Sequence, residues 1–202
     1  ILLPAVFFFF TDFSALSTGK RLLASFFESV TPRTAGYNTV TLSAMSGASQ
    51  GIMILLMLIG GSPGSTAGGI KTTTLAVLLA NTAATFRQRE NAQFFGRRID
   101  FSAVKTAATI LTMYLTLFFG GAVFISVYED LTLSACLYET ASAVGTVGLT
   151  LGITPQLHIP SQIVLIVLMY LGRVGGLTLI YAAFSGKKIN GAKLPQEKIM
   201  IG

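Results

Sequence analysis

An all-α membrane fold made of two like halves is what this sequence predicts, from three observations. Hydrophobic residues make up 52% of the 202 residues and charged residues only 11%, where a soluble domain carries about a quarter; mean hydropathy is +0.70. Two apolar segments, residues 21–30 and 131–143, are too short to cross a bilayer, which takes about 20 helical residues. Each leads into a threonine–glycine strip, Thr34-Ala35-Gly36-Tyr37-Asn38-Thr39 or Thr146-Val147-Gly148-Leu149-Thr150. The strips stand at matched places: Gly36 and Gly148 are 112 residues apart, as are Gln50 and Gln162, and Gly60 and Gly172.

Residues 2–10 read as the tail of one membrane helix. Because the chain opens inside an apolar run with no basic leader, it is expected to be the C-terminal part of a larger protein. After a polar break, residues 21–30 enter the membrane and stop at Pro32. A further helix starts over 52–59 and meets the run 60–69, where six of ten positions are glycine or proline and intrahelical bonding fails. Helical character is expected again from 70 to 86, followed by a polar, basic cytoplasmic linker at 87–98.

In the second half, residues 101–127 are long enough to span with tilt, with Lys105 snorkelling at the inner end. An acidic outer turn at 128–130 and the short segment 131–143 follow. Residues 159–184 cross once more, and Lys187 and Lys188 fix their end inside. Every basic cluster then lies on one side, as cytoplasmic flanks do, with both strips on the other. The predicted organisation is a first unit over 1–98, a second over 99–186 and a cytoplasmic tail over 187–202.

The formal charge of +6 is a topology signal, since the basic residues form no single aromatic-interleaved face for a nucleic acid. Cys136 is the only cysteine, which excludes an intrachain disulfide or a cysteine metal cluster.

The strips carry the functional reading. Bare backbone carbonyls at membrane depth replace the hydration shell of a cation, glycine takes positive φ without steric cost, and a helix aims its negative C-terminal end at the ion. The glycine run is non-helical backbone at membrane depth, which survives only when buried in protein or lining a water-filled cavity. Arg173 lies about 11 residues into its span, roughly 16 Å of rise, near the midplane where a charge marks a functional or paired position. Its counterpart in the first half, Gly61, opens the glycine run, so Arg173 is expected to face that run.

Glu28 and Glu139 precede the strips and either attract cations or, as the favoured expectation, tie the strips down by accepting N–H groups; Lys71 is expected to reach the cytoplasm or the loop carbonyls. His158, near the outer surface and without ligand partners, reads as an ordinary solvated histidine, and Met53, Met57 and Met169 as packing. Residues 64–72 almost spell a phosphate-binding loop, but Ile70 displaces Lys71 from the lysine position, and the flanks are membrane helix.

Three motifs carry a family resemblance: Ser29 to Thr39, Gly60 to Thr72, and Tyr170-Leu171-Gly172-Arg173-Val174-Gly175. They resemble the Trk/Ktr/HKT cation transporter superfamily and, within it, the KtrB-type membrane subunit of bacterial potassium uptake systems. The resemblance covers the chain almost end to end and implies a K+-channel-like fold of four helix–pore-helix–filter–helix repeats, of which this chain matches the third and fourth. It implies a filter of Thr34, Ala35, Gly36, Thr146, Val147 and Gly148 that binds K+ through backbone carbonyls. It implies a gate made of Gly60, Gly61, Ser62, Gly64, Ser65, Thr66, Gly68, Gly69 and Arg173.

The expected function is K+ uptake across the plasma membrane of a bacterium by a multi-pass transporter, with no enzymatic step. K+ is the transported ion, Na+ a candidate activator, and no covalent cofactor is expected. Implied partners are the first two repeats, a second copy in a homodimer, a cytosolic KtrA-type nucleotide-binding ring, and the lipid membrane. A sodium or mixed alkali-cation transporter of the same fold is the alternative, and a non-conducting membrane scaffold a second.

Overall fold

The computed structural model of the chain describes residues 1–89, 91–94 and 96–174. Apolar runs and their interruptions set the order of helices: α1 (Leu2–Thr11), α2 (Thr18–Val30), α3 (Gly47–Leu58), α4 (Thr72–Phe86), α5 (Phe101–Glu129), α6 (Leu133–Val144) and α7 (Ile159–Val174). Among the described residues only α5 is by itself long and apolar enough to cross a membrane. Both halves run helix, short helix, strip, helix, with one 3-10 turn after each strip, at Leu42–Ala44 and Thr154–Gln156.

The structure moves several expected boundaries. Helix α2 begins at Thr18 rather than 21, because the Ser17 carbonyl already accepts the Arg21 amide at 2.8 Å. Helix α3 begins at Gly47 rather than 52, since the Ser46 hydroxyl caps it by accepting the Ser49 amide at 3.3 Å. Helix α5 runs through Glu129, so the acidic turn shrinks to Asp130, whose φ is +54°. The linker at 87–98 carries a small antiparallel ribbon, β1 (Gln93–Phe94) with β2 (Arg97–Arg98), in a fold that is otherwise helical among the described residues. The expected helix 159–184 is described as far as Val174; its remainder and the tail 187–202 lie outside the described residues.

Helix α1 lies on α2, α4 lies along α5, and α6 sits among α3, α5 and α7. One apolar core joins Phe8, Met53 and Met57 of the first half to Tyr138, Val147 and Leu149 of the second. Met53 and Met57 are fully buried as expected, but Met169 is 43% exposed beside a cavity, so packing is not its role here. Asp12 ties α1 to α3 by accepting the Ser46 amide at 2.6 Å and the Ser49 hydroxyl. Burial pushes the Asp12 carboxyl up, and the bonds from Ser46, Ser49 and Thr11 outweigh this and hold it below its ordinary value.

Candidate functional site: two backbone strips over a glycine loop

Each strip begins where a short helix ends. After α2, the Ala35 and Gly36 amides turn back to the Thr31 carbonyl at 3.1 and 3.3 Å. After α6, the Val147 amide donates to the Ser142 carbonyl at 2.9 Å and the Gly148 amide to the Ser142 hydroxyl at 3.2 Å. A trans peptide is planar, so an amide turned inward sends the carbonyl of the preceding residue outward. The outward carbonyls are therefore those of Thr34, Ala35, Thr146 and Val147. Among the described residues, no group donates to them or to the carbonyls of Gly36 and Gly148.

Backbone torsions are matched as well. Thr34 and Gly36 have φ of +65° and +76°, Thr146 and Gly148 of +52° and +92°. Left-handed threonine is uncommon, because its branched Cβ crowds the backbone, and costs on the order of 1–3 kcal/mol. Holding two such residues requires surrounding bonds that over-determine them.

Backbone bonds brace each turn, with the Arg33 amide on the Val30 carbonyl and the Thr146 amide on the Ala143 carbonyl, both at 3.0 Å, and two buried glutamates anchor the far end of each strip. Glu28 Oε1 accepts both the amide and the hydroxyl of Thr39 at 3.3 Å. Glu139 Oε1 accepts the Thr150 hydroxyl at 2.7 Å and the Leu151 amide at 2.9 Å, while its Oε2 accepts the Thr154 hydroxyl at 2.6 Å. The expected tying-down of each strip is what the side chains do. The two strips also meet: a Cβ added at Gly36 would lie 2.2 Å from the Val147 carbonyl oxygen.

The glycine run folds as a loop against the second strip. Its neck is a parallel bridge between Ile59 and Ile70, with the Gly60 amide on the Ile70 carbonyl at 2.8 Å and the Ile70 amide on the Leu58 carbonyl at 3.0 Å. That pairing delays α4 to Thr72, two residues later than expected. Gly60 is required there, since a Cβ would lie 1.9 Å from the Gly68 carbonyl oxygen. Gly68 touches the strip: a Cβ on it would meet Thr146 Oγ1 at 2.3 Å. That hydroxyl is buried without a partner among the described residues.

Two cations hold the loop's tip. Arg173 Nη1 donates to the Thr66 carbonyl at 2.6 Å, as its predicted facing requires. Lys71 Nζ donates to the Ser65 carbonyl at 3.3 Å and to the Ala67 carbonyl. A cavity of about 540 Å3 runs along the second strip, lined by Glu139, Ser142, Thr146, Val147 and Gly148, and ends at Arg173. The structure thus brings the predicted strip residues together and sets the predicted loop directly beside them.

A residue given no role by sequence reasoning also joins the site. Arg33 Nη1 donates to the Ile59 carbonyl at 3.3 Å, linking the first strip to the neck of the loop. A lone arginine at the end of a short apolar helix is the signal that points to it. His158 is solvated as expected, its side chain 73% exposed, and it meets Glu129 at the end of α5 at 2.7 Å; among the described residues it belongs to no metal-ligating group.

The model of one family, "TrkH: Cation transport protein", matches residues 4–192. The chain belongs to this family. Among its relatives, the "Potassium/sodium uptake protein NtpJ" of Enterococcus hirae is 43% identical over 191 residues, covering 91% of this chain and 42% of that protein. The "Ktr system potassium uptake protein B" of Bacillus subtilis is 35% identical, covering 90% and 41%. This chain therefore spans about two-fifths of the length of the curated relatives it matches. The crystal structure of the potassium transporter TrkH from Vibrio parahaemolyticus superposes with a TM-score of 0.76 at 20% identity, covering 90% of this chain and 42% of that one. Membership in the TrkH family and the likeness to this structure agree on the fold.

Proposed function

We propose that this chain supplies two of the four walls of a membrane pathway for K+, with its strips as half of a selectivity filter and its glycine loop as a gate. The observation that carries the reading is the set of four outward carbonyls at Thr34, Ala35, Thr146 and Val147, to which no group among the described residues donates. A dehydrated monovalent cation is the partner that such oxygens suit. Gly36 and Gly148 supply the left-handed turns, and the carboxylates of Glu28 and Glu139 keep the strips taut. The exposed apolar shell, with Leu3, Phe86 and Val127 all more than three-quarters accessible, supports a multi-pass site in the plasma membrane.

K+ would move down its electrochemical gradient without a chemical step, so no enzymatic role is assigned. Two further repeats would close the filter. A homodimer and a cytosolic KtrA-type ring, bearing on the basic linker at 87–98 and the tail at 187–202, follow from the Ktr-type resemblance. A second reading, in which Na+ is also carried or acts as activator, is favoured by one observation: the relative at 43% identity is a potassium/sodium uptake protein.

The test is Gly148→Ser in the whole protein, with rubidium uptake measured in competition with K+ and Na+. Uptake should fall and its preference for K+ over Na+ should narrow. Unchanged rate and preference would remove the filter from the account. Strong Na+ competition in the unaltered protein would favour the second reading.

A further inference from the structure

The end of α4 and the strand β1 flank an open cavity of about 500 Å3 that lies apart from the strips. Ala76, Leu79, Ala80 and Ala83 form its apolar wall, and Arg87 and Arg89 its charged end. The alanines leave a shallow channel along the helix, while Leu79 stands 61% exposed beside it. From Ala76 to Arg87 the helix rises about 16 Å, close to the roughly 15 Å depth of hydrocarbon in one leaflet.

Both arginines are exposed. Among the described residues, neither they nor Arg97 and Arg98 has a carboxylate partner. The helix end presents few bare carbonyls to repel an anion: Ala83, Ala84 and Thr85 accept the amides of Arg87, Arg89 and Gln88 at 3.2, 2.9 and 3.0 Å.

We propose that this cavity binds one anionic phospholipid of the cytoplasmic leaflet, with an acyl chain along the alanine channel and the phosphate between Arg87 and Arg89. Basic pockets at the cytoplasmic end of membrane helices suit such headgroups. Charge and shape select this occupant together. Free phosphate leaves the apolar wall wet, and a zwitterionic lipid brings its own cation beside the two arginines, whereas an anionic lipid brings net negative charge. The inference rests on the membrane orientation proposed above and not on the identity of the ion.

The experiment uses the whole protein in neutral detergent, offered phosphatidylglycerol, phosphatidylcholine with the same chains, or inorganic phosphate. Retained lipid is counted by native mass spectrometry and thermal unfolding is followed in parallel. Phosphatidylglycerol should be retained and should raise the unfolding temperature, with neither effect from phosphatidylcholine or phosphate. The double variant Arg87→Gln/Arg89→Gln should weaken retention about 30-fold, as expected for two basic contacts near an anionic surface. Ala83→Phe, which fills the channel without changing charge, should also weaken it, whereas Arg97→Gln/Arg98→Gln should not.

Equal retention of phosphatidylcholine, an equal loss in Arg97→Gln/Arg98→Gln, or a phosphate effect matching that of the lipid would overturn the site. So would a loss of dimer or regulatory ring in the Arg87/Arg89 variant with phosphatidylglycerol still bound. Rubidium uptake by the same preparations keeps the two readings separate: a failed filter leaves lipid retention intact, and a failed lipid site leaves ion preference intact.

Discussion

Glu139 accepts hydrogen bonds on both carboxylate oxygens, whereas Glu28 uses Oε1 alone and its buried Oε2 meets no donor among the described residues. Glutamine keeps one acceptor oxygen. At Glu28 that suffices for Thr39, but at Glu139 it leaves the Thr154 hydroxyl facing an amide N–H. Hydrogen bonds to a charged group contribute about 1.5–3 kcal/mol each. Glu139→Gln is therefore expected to destabilise the whole protein by about 2 kcal/mol, and Glu28→Gln by under about 1 kcal/mol, measured by thermal unfolding in detergent. Equal losses would contradict the division of roles. At this scale Gly36 and Gly148 are legible in the sequence, because glycine announces positive φ. Thr34 and Thr146 are not, because a β-branched residue gives no sign that its neighbours will force it left-handed.

The three successive carbonyls of Ser65, Thr66 and Ala67 are held by two cations, Lys71 from the loop's own end and Arg173 from α7. Of the two, only Arg173 comes from another element, so it is the cation that ties the loop's tip to α7. Under the gate reading, Arg173→Met frees Thr66 and shifts the loop toward open by about tenfold or more, the population change that corresponds to one charged hydrogen bond. Rubidium uptake without stimulation should rise, with the preference for K+ over Na+ unchanged. A change in preference at constant rate would place Arg173 in the filter instead. The glycine run and its facing arginine are legible because unwound backbone and a midplane charge both need a reason. Starts of helices are less so: Thr18 and Gly47 fall in polar stretches that apolar counting skips. The ribbon at Gln93–Arg98 is too short to leave a period in the sequence.

The two halves are joined backbone to backbone. Gly145, the last residue before the second strip, sits where a Cβ would lie 2.4 Å from the Met57 carbonyl oxygen of α3 in the first half; within the second half, Gly172 sits where a Cβ would lie 2.0 Å from the Val144 carbonyl oxygen. Both approaches surround the end of α6, and the shared core of Met53, Met57 and Tyr138 lies beside them. The duplication is legible as matched glycines 112 residues apart. This joint is not, because close approach between halves depends on long-range packing that no local pattern encodes. In a membrane, where lipid is as apolar as the helices, small residues at such contacts carry much of the packing. Gly145→Ala would push α3 from α6 by moving backbone rather than a pliable side chain, at about 1–3 kcal/mol. It would also displace Thr146 and, through Gly68, the loop. Stability and uptake should therefore fall together in this variant. Gly120→Ala is the control: its Cβ meets nothing within 4 Å on α5, so helix propensity alone should make it neutral or up to about 1 kcal/mol more stable. Unfolding and rubidium uptake measured on both variants of the whole protein decide the matter. Loss of stability with uptake intact in Gly145→Ala would show that the joint between the halves does not set the geometry of the strip.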